Sequence, residues 1–127
     1  MKGIAVAAAA VLFLGLSTAP SLADGVELPF DVADNDSPET IEIWKGPNNE
    51  YLSRKDPNLT VFTAKIRTPE GDELVVSQLN TPYLCGDVSC PVRILRNDEK
   101  VFDGAGCRYV GDFKLNESMN TLFMCDV

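Results

Sequence analysis

The chain has 127 residues, with 19 acidic and 11 basic side chains, no histidine and four cysteines. The length holds one domain rather than two. Without histidine there is no Ser-His-Asp or Cys-His relay and no His-ligated zinc, copper or haem. A formal net charge of -8 opposes general nucleic-acid binding, which needs clustered Lys and Arg to displace counterions.

The chain starts with Met1-Lys2 and an apolar run from Ile4 to Leu16. Pro20 and the small residues Ser21 and Ala23 follow it. The run falls short of the ~20 residues that a spanning helix needs. Residues 1–23 therefore read as a signal peptide, with cleavage after Ala23. The expected destination is the periplasm or the secreted space. Removing Lys2 with the leader leaves 19 acidic and 10 basic residues, a net charge of -9.

Residues 24–38 read as an acidic N-terminal arm. From Asp24 to Glu42 the chain carries Asp24, Glu27, Asp31, Asp34, Asp36, Glu39 and Glu42 and no basic residue. Like charges with little to bury suggest a solvated, partly disordered segment. The same charge would suit contact with a cationic partner. A calcium loop around Asp34 and Asp36 lacks the glycine at position six and the closing glutamate.

Residues 39–127 are expected to form a single β domain. Candidate strands are Glu39 to Trp44, Thr60 to Arg67, Glu73 to Leu79, Val92 to Arg96, Lys100 to Phe102, Cys107 to Phe113 and Thr121 to Asp126. In the second of these, Phe62, Ala64 and Ile66 alternate with Thr63, Lys65 and Arg67, the period of a strand with one wet face. Thr68-Pro69-Glu70-Gly71-Asp72 and Asn97-Asp98 read as hairpin turns. No later window has a sustained helical repeat. The expected fold is mostly β, a small antiparallel sheet, barrel-like or a sandwich, stapled by two disulfides.

Four cysteines in an exported domain of this size imply two bridges. Cys85 and Cys90 close a small loop through Gly86. Pairing the last two strands around Asn116-Glu117 sets Cys107 opposite Cys125 and Tyr109 opposite Phe123. This favours 85–90 with 107–125 over 90–107 with 85–125. Redox exchange fits poorly, because the spacing is Cys-x4-Cys and Asp87 would disfavour a thiolate. A zinc site built from the four cysteines fits neither an oxidising compartment nor the spacing.

The neighbouring acids Asp72-Glu73 and Asp98-Glu99 lie in turns, where split pKa values have no cause. No phosphate loop, Gly-x-Ser-x-Gly or Ser-x-x-Lys is present. The chain is thus not expected to be an enzyme, and no cofactor or metal is implied. Trp44 and Tyr51 flank a Pro-Asn-Asn turn and would form either a ligand platform or, for Trp44, a core plug.

The stretch from Leu79 to Cys90 offers the better candidate: a turn, an aromatic residue and a short disulfide loop in succession. Such a loop is pre-organised and loses little entropy on docking. Its binding residues would be Tyr83, Leu84, Gly86, Asp87 and Val88. In cysteine spacing the segment resembles the protruding Cys-x4-Cys loop of Ivy-type periplasmic lysozyme inhibitors. Only Cys85 and Cys90 match. Gly86, Asp87 and Val88 stand where that loop carries a basic residue and a histidine. The resemblance implies an exported protein that plugs the cleft of a cationic enzyme. The expectation is a small binding protein, an inhibitor of or immunity factor against a cationic exported protein. The alternative is an envelope-associated structural domain with the loop as a staple.

Overall fold

The computed structural model describes residues 5–6, 11–13, 26–46, 52 and 57–125. Its elements run β1 (Ala5–Val6), β2 (Val11–Phe13), β3 (Val26–Glu27), β4 (Asp31–Ala33), α1 (Pro38–Ile43), β5 (Thr60–Arg67), β6 (Glu73–Asn80), β7 (Ser89–Arg96), β8 (Glu99–Cys107), β9 (Lys114–Leu115) and β10 (Thr121–Phe123). They form two antiparallel five-stranded sheets. The larger has the order β4-β5-β6-β7-β8 and the smaller β1-β2-β10-β9-β3. The arrangement is sandwich-like rather than a closed barrel.

The larger sheet is a meander whose turns follow from their residues. Gly71 closes the β5–β6 turn at φ 90°, a conformation that glycine adopts at little cost. Its N–H donates to the Thr68 carbonyl at 2.9 Å. Asn97 and Asp98 take φ values of 51° and 68° between β7 and β8, the left-handed pair of a two-residue hairpin. The two turns are joined. Asn97 Nδ2 donates to Asp72 Oδ1 at 2.9 Å, and Arg96 Nη2 pairs with Asp72 Oδ2 at 2.5 Å. Asp72 is therefore a structural anchor.

Both faces of this sheet are covered, and β6 shows it: Leu74 through Leu79 are all buried. On one face Ala64, Leu74, Val76, Val92 and Ile94 pack with Phe113, Leu115, Leu122 and Met124 of the smaller sheet and its connections. On the other, Val61, Val75 and Leu79 pack with Ile43, Trp44, Leu52 and Leu59. The alternation in β5 holds, but its second face is only partly wet. Thr63 is buried, whereas Lys65 and Arg67 are exposed.

Three sequence expectations are corrected. Glu39 to Ile43 lies in a helix, not a strand, and Trp44 is its C-cap. Ser37 Oγ accepts the Thr40 N–H at 3.1 Å, Pro38 occupies the first turn with Glu39, and Thr40 and Ile43 are buried. A capped start with proline beside it favours a helix despite its short length. Cys107 to Phe113 is not a strand either. β8 begins earlier and ends at Cys107, and Val110–Asp112 form a 3-10 turn. The final hairpin consequently has another register, with Leu122 opposite Leu115 and Phe123 opposite Lys114. Asn116 sets it, because its Oδ1 accepts from the N–H groups of Asn120 and Thr121, both at 2.9 Å.

Of the residues expected as an acidic arm, β3 pairs with β9 and β4 with β5. Ser37 caps α1. Within the stretch read as a leader, β1 pairs with β2, and β2 with β10. The expected cleavage site at Ala23, the Pro47-Asn48-Asn49 turn and Tyr51 lie outside the described residues. No helix among the described residues is long and apolar enough to cross a membrane.

Candidate functional site

The loop between β6 and β7 sits at one end of the larger sheet. It starts with a tight turn: the Thr81 carbonyl accepts from Leu84 N–H at 3.1 Å and Cys85 N–H at 2.9 Å. The Cys85–Cys90 disulfide closes it, and Gly86 N–H donates to the Ser89 carbonyl at 2.8 Å inside the ring. The favoured cysteine pairing holds throughout, for Cys107 is bonded to Cys125 and no cysteine is free. That second bridge does not cross a hairpin. It ties the end of β8 to the residues after β10, and so one sheet to the other.

Arg108 fastens the loop from beside it. Its N–H donates to the Val88 carbonyl at 3.1 Å, and its Nη1 to the Gly86 carbonyl at 3.2 Å and the Asp87 carbonyl at 3.5 Å. The Arg108 carbonyl is held in turn. Asn80 Nδ2 donates to it at 3.2 Å and Gln78 Nε2 at 3.3 Å, while Gln78 Nε2 also reaches the Cys107 carbonyl at 2.5 Å. Gln78 is fully buried, so these bonds run beneath the surface. Buried amides with satisfied donors fix backbone geometry, since an unpaired one would be costly. They hold the peptide after β8 and the loop that bonds to it.

The expected binding residues divide by exposure. Tyr83 is 73% exposed and Val88 65% exposed. Gly86 and Asp87 are exposed as well. Leu84 is half-buried against the cluster formed by Trp44, Val61 and Leu79, so it anchors the loop. Sequence reasoning missed Tyr109, 71% exposed, and the anchoring Arg108. A strand over residues 107–113 would turn Tyr109 toward Phe123. The usable signal against it is Gly111, a poor strand residue three positions after Arg108.

Tyr83, Val88 and Tyr109 thus stand on one anchored end of the sheet, accompanied by the exposed carboxylates Asp87 and Asp112. Large aromatic side chains on fixed backbone lose little entropy when they are covered. Among the described residues no group of three His, Cys, Asp or Glu side chains is placed to hold a metal ion. Trp44 is fully buried, the core plug rather than the platform. Asp34 Oδ1 accepts the Asp36 N–H at 2.9 Å, which makes a local turn.

Comparison with known proteins gives no match among family models, curated proteins or solved structures.

Proposed function

We propose that this chain is an exported, periplasmic binding protein without enzymatic activity, which docks on a cationic exported protein. The binding end is the loop of Tyr83, Gly86, Asp87 and Val88 together with Tyr109. A single observation carries the reading: the exposed Val88 lies within the disulfide ring whose carbonyls Arg108 holds, and the exposed Tyr83 and Tyr109 stand just before that ring and just after Arg108. Monomeric proteins expose such clusters mainly where something covers them. The neighbouring Asp87 and Asp112 and the overall charge of -8 favour a basic partner. An inhibitor or immunity factor, the role implied by the Cys-x4-Cys resemblance, is one form this activity takes.

The test is retention of a basic protein from periplasmic extract on the immobilised mature chain at low salt, with release at high salt. The Tyr83→Ser, Tyr109→Ser double variant loses the partner while keeping its melting temperature. Undiminished retention by that variant, or none by the parent, overturns the reading.

A further inference from the structure

The larger sheet has two edges, and they are built differently. β8 forms one of them. It carries the exposed charges Glu99, Lys100 and Asp103, and its register with β7 shifts between Ile94 and Leu95. Charged side chains and an irregular ladder are the usual protection against an added strand. β4 forms the other edge and has no such irregularity. It pairs with β5 in continuous register, Asp31 with Thr63, Val32 with Phe62 and Ala33 with Val61. Val32 is 70% exposed at the middle of this edge.

A groove of about 360 Å³ runs beside β4, lined by Asp31, Val32, Thr63, Lys65 and Glu39 among others. Glu39 of α1 closes one side, and its Oε2 lies 2.5 Å from Lys65 Nζ. The cation of the groove is therefore engaged by a carboxylate already. Asp31 on β4 and Asp34 and Asp36 in the turn after it are exposed. The described stretch 26–46 contains six acidic residues and one basic residue, Lys45, which pairs with Glu42 at 2.6 Å.

We propose that the β4 edge accepts an extended cationic segment of another protein as an added strand, with the groove beside α1 receiving its side chains. Main-chain bonds to the edge supply affinity, and alternate side chains supply selectivity. An apolar residue of the segment covers Val32, and basic residues meet Asp31, Asp34 and Asp36. A second copy of this chain is disfavoured as the occupant, because it would bring the same carboxylates to the seam. This surface is separate from the Tyr83–Tyr109 end, and the inference does not depend on that end's role.

The probe is a blocked ten-residue peptide of alternating lysine and valine, with a glutamate–valine peptide as control. It is titrated into the isotope-labelled full chain at low and high salt. Amide shifts are expected at residues 30–33 and at Glu39, Thr63 and Lys65, with binding weakened by salt. The edge variants Asp31→Lys and Val32→Lys, which leave the melting temperature unchanged, lower affinity by about tenfold or more. Tyr83→Ser leaves it unaltered. Three results overturn the proposal: no saturable binding, equal uptake of the acidic peptide, or shifts centred on residues 81–90 and 108–112.

Discussion

The guanidinium carbon of Arg93 lies 4.9 Å from the centre of the Trp44 ring. This contact, together with two hydrogen bonds, holds α1 on the larger sheet. Arg93 is 3% exposed, and its Nη1 donates to the Ile43 carbonyl at 3.1 Å and the Lys45 carbonyl at 2.8 Å. Those carbonyls belong to the helix end, which leaves acceptors without intrahelical partners. The Trp44 indole N–H donates to Ser77 Oγ at 2.9 Å, and Ser77 Oγ lies 3.1 Å from Thr63 Oγ1. One arginine thus satisfies a helix terminus and stacks on the residue that plugs the core. Arg93→Leu removes both donors while filling similar space. It should cost about 1–3 kcal/mol, read as a lower urea midpoint. Arg93→Lys should recover only part of this, since one ammonium cannot both stack and fork.

Asp103 makes the Arg93 network pH-dependent. Burial raises its carboxyl pKa, but the Lys100 hydrogen bond and the charge of Arg93 outweigh that, so the group sits below the usual carboxylate range. A carboxyl depressed in the folded state contributes stability above its unfolded pKa of about 3.9 and loses it as pH falls through the folded value. Acid titration of the melting temperature should show a decline below about pH 4, and it should be shallower in Asp103→Asn. An equal decline in the two proteins would show that Asp103 does not contribute to it.

The two disulfides should separate by function. Cys107–Cys125 spans 18 positions and joins the two sheets, whereas Cys85–Cys90 spans five within one loop. Chain-entropy arguments give about 3 kcal/mol for the first and about 2 kcal/mol for the second. Replacing Cys107 and Cys125 by serine should lower global stability the more. Replacing Cys85 and Cys90 should raise amide exchange at residues 83–89 and, under the proposed function, weaken partner binding beyond its effect on melting. Equal behaviour of the two double variants would rule out a separate role for the small loop.

Legibility in the sequence followed the range of the interaction. The β5 alternation and both hairpin turns were readable because side-chain period and left-handed residues are local. The pairing of Cys107 with Cys125 was expected correctly, but from a register that does not exist. The bridge joins sheets and is not set across a hairpin. The helix at Pro38–Ile43 was missed because six residues give no repeat to detect, although the Ser-Pro-Glu start was visible. At the candidate site, exposure of Tyr83 and Val88 was legible from a disulfide loop. The anchoring by Arg108 and Gln78 was not, as those contacts span 20 to 30 positions of sequence.

Gly106 and Gly104 offer a paired test of how closely the sheets approach. A Cβ at Gly106 would lie 2.9 Å from Val92 Cγ2 and 3.1 Å from Phe113 Cζ. Val92 and Phe113 are both fully buried, Val92 within the larger sheet and Phe113 immediately before the smaller one. Neither can withdraw without disturbing the packing between layers. Gly106→Ala should therefore cost about 1–3 kcal/mol, the usual penalty for overpacking. A Cβ at Gly104 would also approach to 2.9 Å, but its neighbour is the ring end of Phe102. Phe102 is half-buried on the edge strand, so its ring has room to turn. Gly104→Ala should change stability by no more than about 0.5 kcal/mol. Denaturant titration of the two variants separates the cases, and equal losses would mean that the β8 edge is packed as tightly as the core.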